Sequence, residues 1–353
     1  MGFIQVEKDL VLRSARSLLN IQENFKTKYQ VDDIFGNSKV YEIVIANRLN
    51  HILIPGHSGT RDVKDDKGNV YEYKHFKESS SNHSWTFNDY SQAIFDKMRK
   101  ENYMITFAHI NDTNGLSRKS FKENTPDKIQ FPDLDWYYEV PGSMIADYLE
   151  NWTKGSTNNR DMANVSRHQI EKSDFVSHPF NCKRYPVIES NEGRYNTDLR
   201  SIFDEIDFLE EHTNVLNLLT SNKIWELLTS VHLNHNVNSE QGGRLGSHDA
   251  YDQDGNQFEY KIAKTENWNF QDISEAVLKK YESVEAFILA VKNIEKISID
   301  RIYYCDKSLI TRIRSKLEEK KEKFRSQGKR LKRLQISLTR NDIDPFITRE
   351  ISV

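Results

Sequence analysis

Two stretches of the chain place acids and a lysine where they could share one small volume. Asp62 is followed by the turn-forming run Asp65-Asp-Lys-Gly-Asn69 and then by Glu72-Tyr-Lys74. Asp249, Asp252-Gln-Asp-Gly-Asn256 and Glu259-Tyr-Lys261 repeat the arrangement. In a strand, residues two apart point to one face, so Glu72 projects with Lys74, and Glu259 with Lys261, while the tyrosine between them points away. The preceding strand of a hairpin sets Asp62 or Asp249 opposite. Two converging carboxylates form a hard oxygen site, and Mg2+ suits a few carboxylates with water and phosphate completing its shell. Such an ion lowers the pKa of water and offsets charge building at a phosphorus. A neighbouring lysine serves as a point cation that orients water or neutralises that charge. The expected catalytic residues are therefore Asp62, Glu72, Lys74, Asp249, Glu259 and Lys261, with Mg2+ on the four acids. Glu42 and Glu226 could add a third carboxylate through a water molecule.

The elements that must position these residues are themselves duplicated. Lys39-Val-Tyr-Glu-Ile through Leu49-Asn-His51 matches Lys223-Ile-Trp-Glu-Leu through Leu233-Asn-His235. Residues 62–74 lie over 249–261 without a gap. Trp85-Thr-Phe-Asn-Asp matches Trp268-Asn-Phe-Gln-Asp, Tyr137-Tyr138 pairs with Tyr303-Tyr304, and Pro179-Phe180 finds Pro345-Phe346. The period is roughly 165–187 residues, domain-sized rather than solenoid-sized.

Within each unit the periodicities predict a helix (39–49, 223–233), a hairpin ending in the Glu-Tyr-Lys strand, and a helix (88–100, 272–282). A buried strand follows (103–110, 286–293), then a second strand (136–140, 301–305) and a further helix (143–152, 308–325). This order predicts an α/β fold, a mixed sheet flanked by helices in each unit. The expected organisation is an N-terminal helical segment 1–36, a first repeat 37–180, a helical connector 181–220 and a second repeat 221–353. Residues 10–29 and 199–219 read as helices.

The constellation Glu42, Asp62, Glu72-Tyr-Lys74, and again Glu226, Asp249, Glu259-Tyr-Lys261, resembles the PD-(D/E)XK nuclease superfamily, in particular type II restriction endonucleases. Arg61 and His248 stand where that pattern carries proline. The resemblance implies two tandem restriction-endonuclease-like domains arranged as a pseudo-twofold dimer. It implies a Mg2+-dependent endodeoxyribonuclease acting on double-stranded DNA, with a cognate DNA methyltransferase in the same system that does not bind it stably. Because one site cuts one strand, two sites in one chain imply a monomer that cuts both.

Other residues in these blocks have structural readings. Asp65 and Asp252 read as turn formers, His51 and His235 as helix-end residues bonded to the sheet, Trp85 and Trp268 as core anchors, and Asp89 and Asp272 as helix N-terminal residues. Specificity is expected from the loops in which the copies differ. Ser80, Asn82 and His83, with Arg118 and Lys119, are the DNA-binding candidates of the first copy. Gln241 and Arg244 are those of the second. Arg160, Arg167, Lys183, Arg184 and the basic stretch 312–333, including Arg330 and Arg333, are candidates for phosphate contact.

The 353 residues carry a net charge of −3, 29% charged residues and two cysteines, Cys182 and Cys305. That composition is foldable and argues against a disulfide framework or a cysteine zinc site. No apolar run reaches membrane-spanning length and the first residues lack a signal-peptide core, so a cytoplasmic protein without membrane contact is expected. Val6 stands where a myristoylation motif needs Ser or Thr. Two other functions fit the same residues: a metal-dependent nuclease without sequence specificity or specific for DNA structure, and a non-catalytic DNA-binding pseudo-dimer.

Overall fold

The computed structural model describes residues 8–36, 38–55, 61–80, 82–88, 90–112, 132–155, 162–172, 184–186, 193–219, 222–238, 248–328, 331 and 334–353. Its architecture is α/β, with mixed sheets and ten α-helices among these residues. The chain divides into two compact units, Gln22–Phe203 and Met1–Ile21 with Asp204–Val353. The divisions fall inside α1 (Lys8–Tyr29) and α6, described below.

The first unit begins its sheet after α2 (Lys39–Leu49). Leu-Asn-His is a helix stop: Asn50 takes the left-handed conformation at φ 54° and its N–H returns to the Ala46 carbonyl. Asparagine tolerates that conformation better than most residues. The chain then forms β1 (Ile52–Leu53), β2 (Val63–Lys64) and β3 (Val70–Lys77), all antiparallel. The β2–β3 turn is closed by Asp65, whose Oδ1 accepts from Lys67 N at 2.9 Å and Asn69 N at 2.8 Å. Gly68 sits at φ 87°, where a side chain would be strained. Next come β4 (Ser84–Asn88), α3 (Gln92–Met98), and β5 (Tyr103–Asn111), which runs parallel to β3. β6 (Asp133–Pro141), α4 (Gly142–Gly155), β7 (Met162–Ser166), α5 (Arg167–Lys172) and β8 (Arg184–Pro186) complete the unit. The sheet order is β1-β2-β3-β5-β6-β8, and β4 pairs with β7 as a separate two-stranded ribbon.

The second unit repeats this after α6 (Asn196–Thr213). It contains α7 (Lys223–Leu233), β9 (Asn236–Val237), β10 (Ala250–Tyr251), β11 (Gln257–Ala263), β12 (Asn267–Phe270), α8 (Glu275–Glu282) and β13 (Ala286–Asn293). β14 (Ser298–Asp306), α9 (Leu309–Ser326), β15 (Ile336–Thr339), α10 (Arg340–Ile343) and β16 (Ile347–Ser352) follow. Its six strands run β9-β10-β11-β13-β14-β16, with β11 parallel to β13, and β12 pairs with β15 as the second ribbon.

Three predicted helices have different limits. Asn88 belongs to β4, not to a helix, because Trp85 and Phe87 alternate into the core and β7 pairs along the strand. Asp272 precedes its helix at φ 52°; Ser274 is the N-cap, its hydroxyl accepting from Val277 N. Asp89 lies outside the described residues. The helix expected to reach Leu219 ends at Thr213, where Asn214 turns to φ 58°.

Each sheet packs its ribbon and helices around an aromatic core. In the first, Trp85, Phe87, Phe107, Tyr138 and Leu149 are buried together. In the second, Trp268, Phe270, Phe287, Tyr303 and Leu317 are. Trp85 Nε1 donates to the Ala108 carbonyl at 2.9 Å and Trp268 Nε1 to Ala290 at 3.0 Å. Truncating either indole to alanine costs about 3–5 kcal/mol, enough to unseat the ribbon. No helix among the described residues is long and apolar enough to cross a membrane.

Candidate functional site

The β2–β3 hairpin brings Asp62 to β3, where Asp62 N donates to the Tyr71 carbonyl and Asp62 Oδ2 accepts from Tyr73 N at 2.7 Å. Asp249 Oδ2 accepts from Tyr260 N at 2.8 Å. Each aspartate is thus held by the backbone between the Glu and Lys of its own copy. Glu72 and Glu259 are buried, and each pairs with the lysine two residues on: Lys74 Nζ to Glu72 Oε1 at 2.5 Å, Lys261 Nζ to Glu259 Oε1 at 2.6 Å.

The helix glutamates complete the set. Glu42 pairs with Lys39 at 2.7 Å and Glu226 with Lys223 at 2.8 Å, both across one helical turn. Lys39 and Lys223 were not among the expected site residues. Their signal was present in the duplicated Lys-x-x-Glu that opens each repeat.

The electrostatics show that the carboxylates crowd one another. Burial raises the Asp62 carboxyl from its ordinary value to about 7, and the charges of Glu42 and Glu72 push the same way, against the Tyr73 N–H and Lys39. Asp249 is likewise raised to about 7 by burial, Glu259 and Glu226. Burial opposes the charge on Lys74, but Glu72, Asp62 and Glu42 outweigh it and hold the ammonium above the usual lysine range. Lys261 is held up in the same way, chiefly by Glu259. Both lysines are therefore firm cations and not bases.

Opposite the site, the tyrosine of each Glu-Tyr-Lys strand meets the histidine that follows the helix stop. His51 Nδ1 lies 2.7 Å from Tyr73 Oη, and His235 Nδ1 2.9 Å from Tyr260 Oη. Burial lowers both imidazoles to about 4, so they are neutral at physiological pH. These pairs fix the helix end against the strand that carries the acids.

Among the described residues no three His, Cys, Asp or Glu side chains converge on a common point. Each glutamate of the set, on helix and strand alike, is paired with a lysine. Mg2+ can retain most of its water and take only one or two carboxylates from the protein. The aspartates carry poorly compensated charge, whereas the buried Glu259 Oε2 is met by Lys280 Nζ at 3.2 Å. Asp62 with Glu72, and Asp249 with Glu259, are the pairs that could hold Mg2+. Glu42 acts on Asp62 more strongly than Glu72 does, whereas Glu226 acts on Asp249 less strongly than Glu259 does.

In the second copy these groups open onto a cleft of about 620 Å³ whose walls include Glu226, Asp249, Lys261, Asn267 and Asn269. The copies differ at the free oxygen of the strand glutamate. Tyr103 Oη donates to Glu72 Oε2 at 2.8 Å, whereas Lys280 faces Glu259. Neither residue was singled out from sequence, since each reaches the site from another element.

The expected DNA-binding residues fare less evenly. Ser80 is half-buried in the turn after β3; Asn82 and His83 are exposed, Asn82 accepting from Ser84 Oγ and His83 stacking on Phe76. Arg118, Lys119, Arg160, Lys183, Gln241, Arg244, Arg330 and Arg333 lie outside the described residues, as does the Arg184 side chain. In the basic helix α9 four of the cations are paired with acids. Arg312 and Lys316 bind Asp342, Arg314 binds Glu275 and Glu282, and Lys321 binds Glu318. A helix this rich in lysine and arginine folds against acids of its own unit, which sequence spacing does not reveal. Arg167 similarly pairs with Glu171.

No protein-family model matches the sequence, and no curated protein matches it.

Proposed function

We propose that the chain is a site-specific DNA endonuclease of the type II restriction kind, hydrolysing phosphodiester bonds in both strands of duplex DNA. In this reading each repeat is a restriction-endonuclease-like domain with its own Mg2+-dependent site, and one chain does the work of a homodimer. The observation that carries the reading is the rebuilding of one set, Asp, Glu, Lys and a helix Glu–Lys pair, on the same elements in both copies. A hairpin needs its glycine and asparagine; it does not need a crowded aspartate at its base twice.

Asp62 with Glu72, and Asp249 with Glu259, would hold the Mg2+, which when bound would supply Lewis-acid stabilisation of phosphate charge and acidify water. The chain supplies the rest. The Tyr73 and Tyr260 backbone N–H groups fix the aspartates, so their orientation needs no rearrangement. Lys74 and Lys261 remain charged and stand within one side chain of the acids. On substrate binding their ammonium groups leave the glutamates for the scissile phosphate, where they hold the attacking water and offset developing charge. Water adds to phosphorus as it loses a proton to solvent, the bond to the departing sugar oxygen breaks, and that oxygen takes up a proton from solvent.

The test is incubation of plasmid and phage DNA with Mg2+ and, separately, with chelator, followed by sequencing of the ends. Discrete fragments with a common end sequence in Mg2+ alone are expected. A smear would replace site-specific by non-specific cleavage, and intact DNA in both arms would overturn the reading.

A further inference from the structure

We infer that the two ribbons, β4–β7 and β12–β15, are the elements that read base edges in the major groove of duplex DNA, through an asparagine held by a cross-strand hydroxyl in each. The inference rests on the endonuclease reading and names where its specificity resides.

Each ribbon has one apolar and one polar face. Trp85 and Phe87, and Trp268 and Phe270, are buried. The outward positions carry no lysine or arginine, and all but Met162 are Ser, Thr or Asn. A surface meant only for phosphate would carry cations; hydroxyls and amides are the groups that match base edges.

The inward aromatic of each ribbon touches the site. Lys74 Nζ lies 5.2 Å from the centroid of the Phe87 ring, and Lys261 Nζ 5.7 Å from that of Phe270. These contacts seat each ribbon beside the site, with its outward residues on the opposite face of the strand from the ring. In the second copy Asn267 and Asn269 line the cleft that holds Asp249 and Lys261.

The most specific sign is a pair that the two copies build in reverse. In the first ribbon Thr86 lies opposite Asn164, and Thr86 Oγ1 donates to Asn164 Oδ1 at 2.8 Å. In the second Asn269 lies opposite Ser337, and Ser337 Oγ donates to Asn269 Oδ1 at 2.5 Å. The hydroxyl and the amide have exchanged strands while the pair keeps its place. In both, the hydroxyl occupies the amide oxygen of an exposed asparagine, whose two N–H groups remain as donors. Amide donors suit the guanine O6 and N7 and thymine O4 acceptors of the major groove. That groove, about 12 Å wide in B-DNA, admits a two-stranded ribbon, whereas A-form RNA closes its own to side chains.

The test uses the full chain and the variants Asn269→Ala, Asn164→Ala and Asn269→Ser. Neither asparagine is in the proposed cleavage machinery, and both are exposed, so each variant should melt with the parent. Two readouts are taken: the sequences of cleaved ends in Mg2+, and the motif enriched from a random duplex library by binding in chelator. Each alanine variant should accept substitutions at one or two positions of the motif that the parent rejects by about tenfold or more. Duplex RNA should not compete. An alanine variant that cuts and enriches the same motif as the parent, or RNA that competes equally, would overturn the inference. If the parent enriches a motif that Asn269→Ala loses but cuts nothing, the ribbon assignment stands and the endonuclease reading falls.

Discussion

The two copies hold the same five residues in the same frame and differ in what meets the outer oxygen of the strand glutamate. In the first, three carboxylates (Glu42, Asp62, Glu72) face two lysines (Lys39, Lys74), and the Tyr103 hydroxyl completes Glu72. In the second, Glu226, Asp249 and Glu259 face three lysines, Lys223, Lys261 and Lys280. Burial opposes the charge on Glu259, but Lys261 and Lys280 hold it below the usual carboxylate range. The first site therefore carries one more uncompensated negative charge. A frame can be duplicated intact while its affinity for a cation drifts, because the tuning group comes from an element outside the motif.

The largest effects should come from the aspartates, and they should have opposite signs in two assays. Asp62→Asn and Asp249→Asn should each lower the cleavage rate of their own copy by at least about 10²-fold, measured as the loss of cutting on one strand. The same changes should raise the melting temperature in chelator at pH 8 by several degrees, because each removes a buried, poorly compensated charge. A fall in melting temperature would break the claim that the acids crowd each other.

The pH dependence sharpens the same point. A carboxyl at about 7 when folded and near its ordinary value when unfolded binds more protons in the folded state between those limits. It costs stability as pH rises from about 4 to about 7, and the cost is constant above. His51 and His235, lowered to about 4, act the other way: their contribution is lost as pH falls from about 6.5 towards 4. The difference between parent and each Asp→Asn variant isolates the aspartate. It should be small near pH 4 and grow to a few kcal/mol by pH 7, read from denaturant melts in chelator.

Lys280→Met should strengthen Mg2+ dependence in the second copy alone, shifting half-maximal cleavage of its strand to about 3- to 10-fold lower Mg2+. Smaller still is Tyr103→Phe, which removes one hydrogen bond from Glu72. About 1 kcal/mol corresponds to roughly fivefold in the first copy's metal titration, with the second unchanged. Equal shifts in both copies for either variant would show that the sites are not independent.

The gapless match of residues 62–74 to 249–261 made the hairpin, its turn and the acid–lysine set legible, because each depends on neighbours within about a dozen positions. The ribbons were not legible for the opposite reason. Trp85-Thr-Phe-Asn88 is short, and Thr86 finds its partner 78 residues away. Asn88 was consequently read as a helix start. Tyr103 and Lys280 were invisible for the same reason, their roles being fixed only when β5 and α8 pack beside the site. For the basic stretch, sequence gives the sign of a charge but not its partner: Asp342 gathers both Arg312 and Lys316.

The account stands most directly on which strand each copy cuts. A plasmid carrying one mapped site would be digested in Mg2+ with the parent, Lys74→Met and Lys261→Met, and the ends on each strand mapped by primer extension. The account predicts a linear product from the parent and an open circle from each variant, with the surviving nick on opposite strands for the two. Linear product from either variant at the parental rate, or both nicks on one strand, would contradict it.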